Sequence, residues 1–306
     1  MIWGDKRYRS FNYEMRKIFG EKVMKLSLDG GFTCPNRDGT IGNKGCIFCG
    51  EEGSGEFAAS RYLPIREQME QQKKLLSKKW PVGKSIAYFQ SFTNTYAPIV
   101  DLEKKYTEAI VQNGIVGLAI ATRPDCLSKG VLDLLSKFNE KTFLWIELGL
   151  QTIYDNTSKF IRRGYELECY ERAVEELNKR NIKVVTHLIF GLPNESHKDI
   201  LSSVKYVANT NTWGVKFHTL YIQKGTDLYK HYERTPFPIL SREEYISLVC
   251  NSIERLPQDM VIHRLTGDGK RELLVEPKWT LDKLKVLSGI DMELKRRNSF
   301  QGSIKV

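Results

Sequence analysis

Residues 34–49 read Cys34-Pro35-Asn36-Arg37-Asp38-Gly39-Thr40-Ile41-Gly42-Asn43-Lys44-Gly45-Cys46-Ile47-Phe48-Cys49, a C-x11-C-x2-C run. Half of the chain's 6 cysteines fall in this stretch, while Cys126, Cys169 and Cys250 stand singly. Thiolates spaced this way are candidate metal ligands. The proline, glycines, asparagines and aspartate between them are loop formers, able to wrap a bulky inorganic group.

Structural zinc takes four ligands, usually as two well-separated pairs. Here there is one tight pair, and the first histidine in the chain is His187. A [4Fe–4S] cluster accepts thiolates at three irons and can leave the fourth open to substrate or cofactor. A disulfide does not suit a chain that reads as cytosolic. The cluster fits the spacing best; zinc and a metal-free loop stay open.

Working outward, Val23 to Leu28 reads as a strand, and Asp29-Gly30-Gly31 opens the cysteine loop at its carboxyl end. Before it, Lys6 to Phe19 reads as a short helical lead-in. After it, a helix runs from Pro64 to about Lys79, then a strand over Ser85–Gln90 and a helix over Ile99–Gln112. Val116–Ala121 is the third strand, and Ser128 caps the next helix. Thr142–Leu150, Ile182–Phe190 and Val215–Ile222 are further strands, with helices over Leu167–Arg180 and His197–Ala208 between them. Ser241-Arg242-Glu243-Glu244 is a capping box.

Six strand–helix alternations predict an α/β fold with a parallel sheet. Right-handed crossovers curl such a sheet into a barrel or part of one. The chemistry is then expected at the carboxyl ends of the strands. Residues 1–256 are expected to form this core with its lead-in. From about Pro257 the pattern changes, through Val261-Ile262-His263-Arg264 and Pro277-Lys278-Trp279 to a basic helix over Leu281–Arg297; residues 257–306 read as a C-terminal extension.

The 306 residues are 41% hydrophobic, enough for a large core, and no apolar run has membrane-spanning length. With no signal peptide visible, the chain is read as soluble and cytoplasmic. The net charge is +10, with basic groups such as Lys6-Arg7-Tyr8-Arg9, Lys73-Lys74 and Arg296-Arg297. Such a surface suits a polyanion, and equally an ordinary solvated face.

Polar or charged motifs end the strands: Gln90-Ser91-Phe92-Thr93-Asn94, Thr122-Arg123-Pro124-Asp125, Glu147-Leu148-Gly149-Leu150-Gln151 and Gly191-Leu192-Pro193, with Arg162-Arg163-Gly164-Tyr165 after the fourth strand. Glu147 lies in an otherwise apolar strand and needs a partner. Lys216 and His218 alternate onto one face of the sixth strand, as candidate catalytic substrate contacts.

The C-x2-C pair with Phe48 before the last cysteine resembles the radical S-adenosylmethionine (SAM) superfamily. The Thr-Arg-Pro-Asp, Glu-x-Gly-x-Gln, Arg-Gly-Tyr and Gly-Leu-Pro runs resemble its branch related to the catalytic subunit of Elongator, and within it the YhcC/YtqA-type proteins. The resemblance implies an open (β/α)6 TIM-like barrel. It implies a [4Fe–4S] cluster on Cys34, Cys46 and Cys49, and SAM held by Phe48, Gln90, Ser91, Glu147, Gln151, Arg163, Ile189 and Gly191. Arg163 would take the SAM carboxylate. Where many relatives have Gly-Gly-Glu, this chain offers Gln90, Ser91, Thr93 and Asn94. An electron would come from reduced flavodoxin or ferredoxin. The implied substrate is tRNA, at a wobble uridine whose 5-carboxymethylaminomethyl group is trimmed to 5-aminomethyl. A radical enzyme acting on a small metabolite, and a non-catalytic iron–sulfur or zinc RNA-binding protein, are the other readings.

Overall fold

The computed structural model describes residues 2–51, 53, 58–78, 80–81, 83–267 and 269–304. Helix α1 (Phe11–Phe19) starts where the Ser10 side chain accepts a hydrogen bond from Tyr13 N and ends at Gly20 in a left-handed conformation. There follow β1 (Met24–Leu28), α2 (Ile65–Ser77), β2 (Ser85–Phe89), α3 (Ile99–Ile110), β3 (Ile115–Thr122), α4 (Lys129–Lys141) and β4 (Phe143–Gln151). The chain continues through α5 (Asp155–Phe160), α6 (Leu167–Asn178), β5 (Lys183–Phe190), α7 (His197–Ala208) and β6 (Gly214–Thr219). It ends with β7 (Ile222–Gln223), α8 (Asp227–Arg234), α9 (Arg242–Ile253), β8 (Val261–Arg264), β9 (Leu274–Glu276) and α10 (Lys283–Arg296). Ser128 caps α4, and the Ser241–Glu244 box forms with both reciprocal bonds. Helix α2 stops short of Lys79, which lies outside the described residues. No helix among the described residues is long and apolar enough to cross a membrane.

Seven strands form one parallel sheet in the order β1-β2-β3-β4-β5-β6-β8, curled into a partial barrel. The sequence reading had six. The seventh comes from residues 257–306: β8 pairs with β6 in the register Gly214↔Val261 and Val215↔Ile262. That pairing needs a glycine, because a Cβ on Gly214 would stand 2.7 Å from the Val261 carbonyl oxygen. The expected Val215–Ile222 strand also breaks at Thr219. Leu220 N donates to Phe190 O (2.9 Å), and the chain leaves the sheet to pair Ile222 and Gln223 antiparallel with β9.

Each strand sorts its side chains by alternation. On β4, Leu144, Ile146, Leu148 and Leu150 join the large core between sheet and helices. Trp145 belongs instead to a second cluster with Met15, Ile86 and Val185, against which Phe11, Phe143 and Trp213 pack. This cluster fills the barrel at the amino ends of the strands. Ring centroids of Phe11, Phe143 and Trp213 lie 5.8, 6.0 and 5.8 Å from that of Trp145.

The free edge of β8 is covered by both ends of the chain. Ile262 N donates to Arg9 O (2.8 Å), and Ser10 bridges to Ile262. Arg9 N donates to Gln301 Oε1 (2.8 Å), Gln301 N to Arg7 O (2.9 Å), and Gln301 Nε2 to Met260 O (2.8 Å).

Candidate active site

The cysteine loop leaves β1 and is moored at several points. Its C-x2-C turn closes through Cys49 N to Cys46 O (3.0 Å). Ile47 N donates to Ile161 O (3.1 Å) and Ile47 O accepts from Leu228 N (2.8 Å), stringing the turn between α5 and α8. Ile47 is buried with Ile161, Leu192, Leu220, Ile222 and Leu228, and Phe48 packs on this group. Asn36 Nδ2 donates to Arg162 O (2.6 Å) and approaches Cys46 Sγ (3.7 Å). The hydrogen bond from Cys49, then Arg123 and Asn36, bring the Cys46 thiol down to about 7 despite its burial. Its partner Cys49 is pushed well up, by the same hydrogen bond and by burial. A lowered thiol is on its way to the thiolate that a metal requires.

Cys34, Cys46 and Cys49 are free and partly exposed, and all three line one cavity of about 740 Å3 at the carboxyl ends of the strands. Phe48, Gln90, Gln151, Arg163 and Ile189 share its wall, and Glu147, Lys216 and His218 lie on it deeper in the barrel. Ser91 and Gly191, expected beside them, are not on this wall. Ser91 is 1% exposed with no partner for its Oγ among the described residues. Gly191 turns the chain at φ +89° beneath Leu240.

The strand-end motifs have local causes. Tyr165 OH donates to Gly149 O, and the Gln151 carboxamide folds back over Gly149, so a Cβ there would strike it. Arg163 is 1% exposed and ties this bend together. Its Nη1 donates to Leu150 O (2.8 Å) and Thr152 O (2.7 Å), and its Nε to Tyr165 O (3.0 Å). Its Nη2 is buried without a partner among the described residues. Arg123 forms a two-point pair with Asp125 (2.9 and 2.7 Å) and donates to Arg163 O (2.8 Å), a self-contained brace. Asn94, fully buried, donates through Nδ2 to Ala121 O (2.8 Å) and stitches β2 to β3.

Deeper in the barrel, Glu147 has a set of partners that sequence did not reveal. Its Oε1 accepts from Trp145 Nε1 (2.9 Å) and Lys25 Nζ (3.3 Å). Its Oε2 accepts from Tyr88 OH (2.8 Å), His187 Nε2 (2.9 Å) and Lys216 Nζ. Glu147 was expected to find its partner in SAM, with a buried salt bridge to lysine or arginine as the alternative; within the protein, Lys216 and Lys25 form that salt bridge. Burial alone would raise Glu147, but Lys216, Lys25 and the His187 bond hold it well below the usual carboxylate range. Burial brings Lys216 down to about 7 against the pull of Glu147, and brings His187 down to about 4. Lys216 Nζ also reaches Tyr88 OH (3.0 Å). His218 lies with its ring centroid 5.4 Å from that of His187, its Nε2 buried and unpartnered among the described residues. Lys25, Tyr88 and His187 were missed, although each is a polar residue inside a buried strand, in step with Glu147 by the period of two.

A sequence model of the Radical SAM superfamily matches residues 38–207. The chain belongs to the radical SAM superfamily. A model of the Radical SAM C-terminal domain matches residues 212–296. This radical SAM chain is 45% identical over 298 residues to YtqA of Bacillus subtilis (strain 168), spanning 97% of this chain and 92% of that one. Over 168 residues it is 27% identical to a tRNA uridine(34) acetyltransferase of Methanocaldococcus infernus, spanning 53% of this chain and 30% of that one. Its fold matches the structure of the archaeal Methanocaldococcus infernus Elp3 with a TM-score of 0.69 at 20% identity, over 91% of this chain and 64% of the other.

Radical SAM enzymes use a [4Fe–4S] cluster and SAM, and this site suits both. A cubane wants its thiolates apart, each on its own iron; three thiols line one cavity, and so does Arg163, whose Nη2 has no partner among the described residues.

Proposed function

We propose that this radical SAM enzyme acts on tRNA at a wobble uridine, converting 5-carboxymethylaminomethyl-(2-thio)uridine to the 5-aminomethyl form. The observation that carries the reading is the single cavity uniting the three cysteines with a deep polar floor. The likeness to a tRNA uridine(34) acetyltransferase over half the chain, and the net charge of +10, favour tRNA as the substrate.

When bound, the cluster and SAM supply a 5′-deoxyadenosyl radical, which takes hydrogen from an unactivated carbon. In this reading Cys34, Cys46 and Cys49 hold the cluster. Arg163 Nη2 meets the SAM carboxylate, Gln90 and Gln151 its polar groups, and Phe48 and Ile189 pack against its apolar surface. Gly191 and Ser91 shape the backbone behind that wall. Glu147 holds Lys216 and Lys25 in place, and Lys216 and His218 face the substrate. The chain's task is to orient the reacting methylene and keep water and other hydrogen donors away. That methylene lies between an amine and a carboxylate. With one hydrogen atom passed to the 5′-deoxyadenosyl radical, one further electron to an oxidised flavodoxin or ferredoxin and the amine N–H proton to solvent, that carbon would become part of an imine, and water would then release the aminomethyl nucleoside and a two-carbon aldehyde acid. The setting is cytoplasmic, with reduced flavodoxin or ferredoxin as electron source.

The test uses tRNA deuterated at that methylene. Deuterium is expected in the 5′-deoxyadenosine product, with an aminomethyl nucleoside by mass spectrometry. Unlabelled 5′-deoxyadenosine from converted tRNA would rule out this abstraction. Normal tRNA nucleosides in a deletion strain would rule out the substrate.

A further inference from the structure

The cysteine loop is closed by its own backbone. Arg37 N donates to Cys34 O (2.8 Å), Ile41 N to Pro35 O (2.8 Å) and Gly45 N to Asn36 O (2.7 Å). The Asn36 side chain takes no part in these bonds, yet it is 6% exposed and so needs partners of its own. It has two: Nδ2 lies 2.6 Å from Arg162 O and 3.7 Å from Cys46 Sγ. A carbonyl oxygen only accepts, so the Arg162 contact fixes which end of the carboxamide carries the hydrogens. That end has two N–H bonds, and the second is left for the sulfur. Arg162 presents its carbonyl from a left-handed backbone (φ +56°), uncommon for a residue with a Cβ. On the other side of the carboxamide, a Cβ on Gly42 would stand 2.8 Å from Asn36 Oδ1. The side chain is thus fenced between two backbone segments, with one N–H turned to the Cys46 thiol.

We propose that Asn36 is a positioning residue that acts through Cys46 to set the reduction potential of the cluster. Hydrogen bonds to the sulfurs are among the factors that fix such potentials. Reduction adds an electron, and part of its charge falls on the sulfurs. An N–H directed at Cys46 Sγ therefore stabilises the reduced form more than the oxidised one. Burial of Asn36 keeps water from replacing this donor and strengthens the bond by lowering the local dielectric. Asn36 thus eases the one-electron reduction that the electron donor has to deliver. This role rests on Cys46 being a cluster ligand, as in the reading above, and is independent of the tRNA substrate.

The test is a redox titration of the anaerobically reconstituted protein, followed by electron paramagnetic resonance, with iron counted in each sample. Asn36→Ala keeps the backbone bonds of the loop and is expected to bind as much iron as the wild type. Its midpoint potential should fall by about 59 mV, a tenfold shift in a one-electron equilibrium. Gly42→Ala keeps Asn36 but forces its carboxamide aside. It should move the midpoint in the same direction, and it carries the test if Asn36→Ala loses iron. SAM affinity of the oxidised protein, by equilibrium dialysis, should stay at the wild-type value in both variants, which a collapse of the loop would not allow. A midpoint at or above the wild-type value in a variant with full iron overturns this role for Asn36. Cys46→Ala separates that failure from failure of the ligand assignment. Full iron and an unchanged midpoint in Cys46→Ala would remove Cys46 from the ligand set, and the role of Asn36 with it. Iron lost from Cys46→Ala, with the midpoint of Asn36→Ala unmoved, would keep the ligand and remove only Asn36.

Discussion

Glu147 on β4 and Lys216 on β6 form an ion pair across the intervening β5, with His187 of that strand bonded to the same carboxylate oxygen. Both side chains are buried, so removing one partner strands the other. Breaking a buried pair costs about 3–5 kcal/mol. Glu147→Gln is therefore expected to lower stability by roughly that amount in a urea titration. Glu147→Gln combined with Lys216→Met should recover part of the loss, because the second change removes the stranded charge. Additive losses would show that the two side chains do not interact.

Lys216 titrates near pH 7. The groups facing it are Lys25 on β1, Tyr88 on β2, Glu147 on β4, His187 on β5, His218 on its own strand, and His263 and Arg264 on β8. His187, down at about 4, stays neutral through the range, and Tyr88 is raised away from it. Lys216 is a base, so its charge is present below about pH 7 and lost above it. Because the unfolded chain keeps that proton to higher pH, the contribution of Lys216 to stability should rise from pH 7 towards pH 9, as read by urea titration at each pH. Lys216→Arg keeps the charge throughout and should flatten that rise.

Arg163 donates to three backbone carbonyls at the end of β4. A lysine ammonium lacks the planar fork that meets them together. Arg163→Lys is expected to cost about 2–3 kcal/mol, since hydrogen bonds to charged groups contribute about 1.5–3 kcal/mol each and some are kept. SAM affinity should fall by more than this loss of folded protein explains, measured by equilibrium dialysis. Unchanged SAM affinity would confine Arg163 to bracing.

Gly214 faces the Val261 carbonyl and the His263 ring. The carbonyl is backbone and cannot swing aside. Gly214→Ala should push β8 away from β6 and speed hydrogen exchange at Val261 and Ile262, leaving β2 to β4 unaffected. Unaltered exchange at β8 would contradict the register.

Much of this was legible because periodicity and spacing are local. The six strands, the Ser128 cap and the Ser241–Glu244 box follow from residues a few positions apart. The need of Glu147 for a partner was legible too, from one carboxylate in an apolar strand. Its partners were not, because Lys25 lies 122 residues and Lys216 69 residues away in the chain. Pairing at that range is set by the closing of the sheet, and no short window of sequence contains it. Strand β8 was hidden for a related reason. Val261-Ile262-His263-Arg264 is too short to show a period, and its identity as a strand comes from the edge that Gly214 offers.

The bond from Arg9 to Gln301, with Ile262 between, has a consequence for synthesis. A nascent chain emerges amino end first, and its opening segment cannot take its native place until residues near position 301 have left the ribosome tunnel. Closure of this edge therefore waits on residues near position 301, and a single glutamine decides whether it happens.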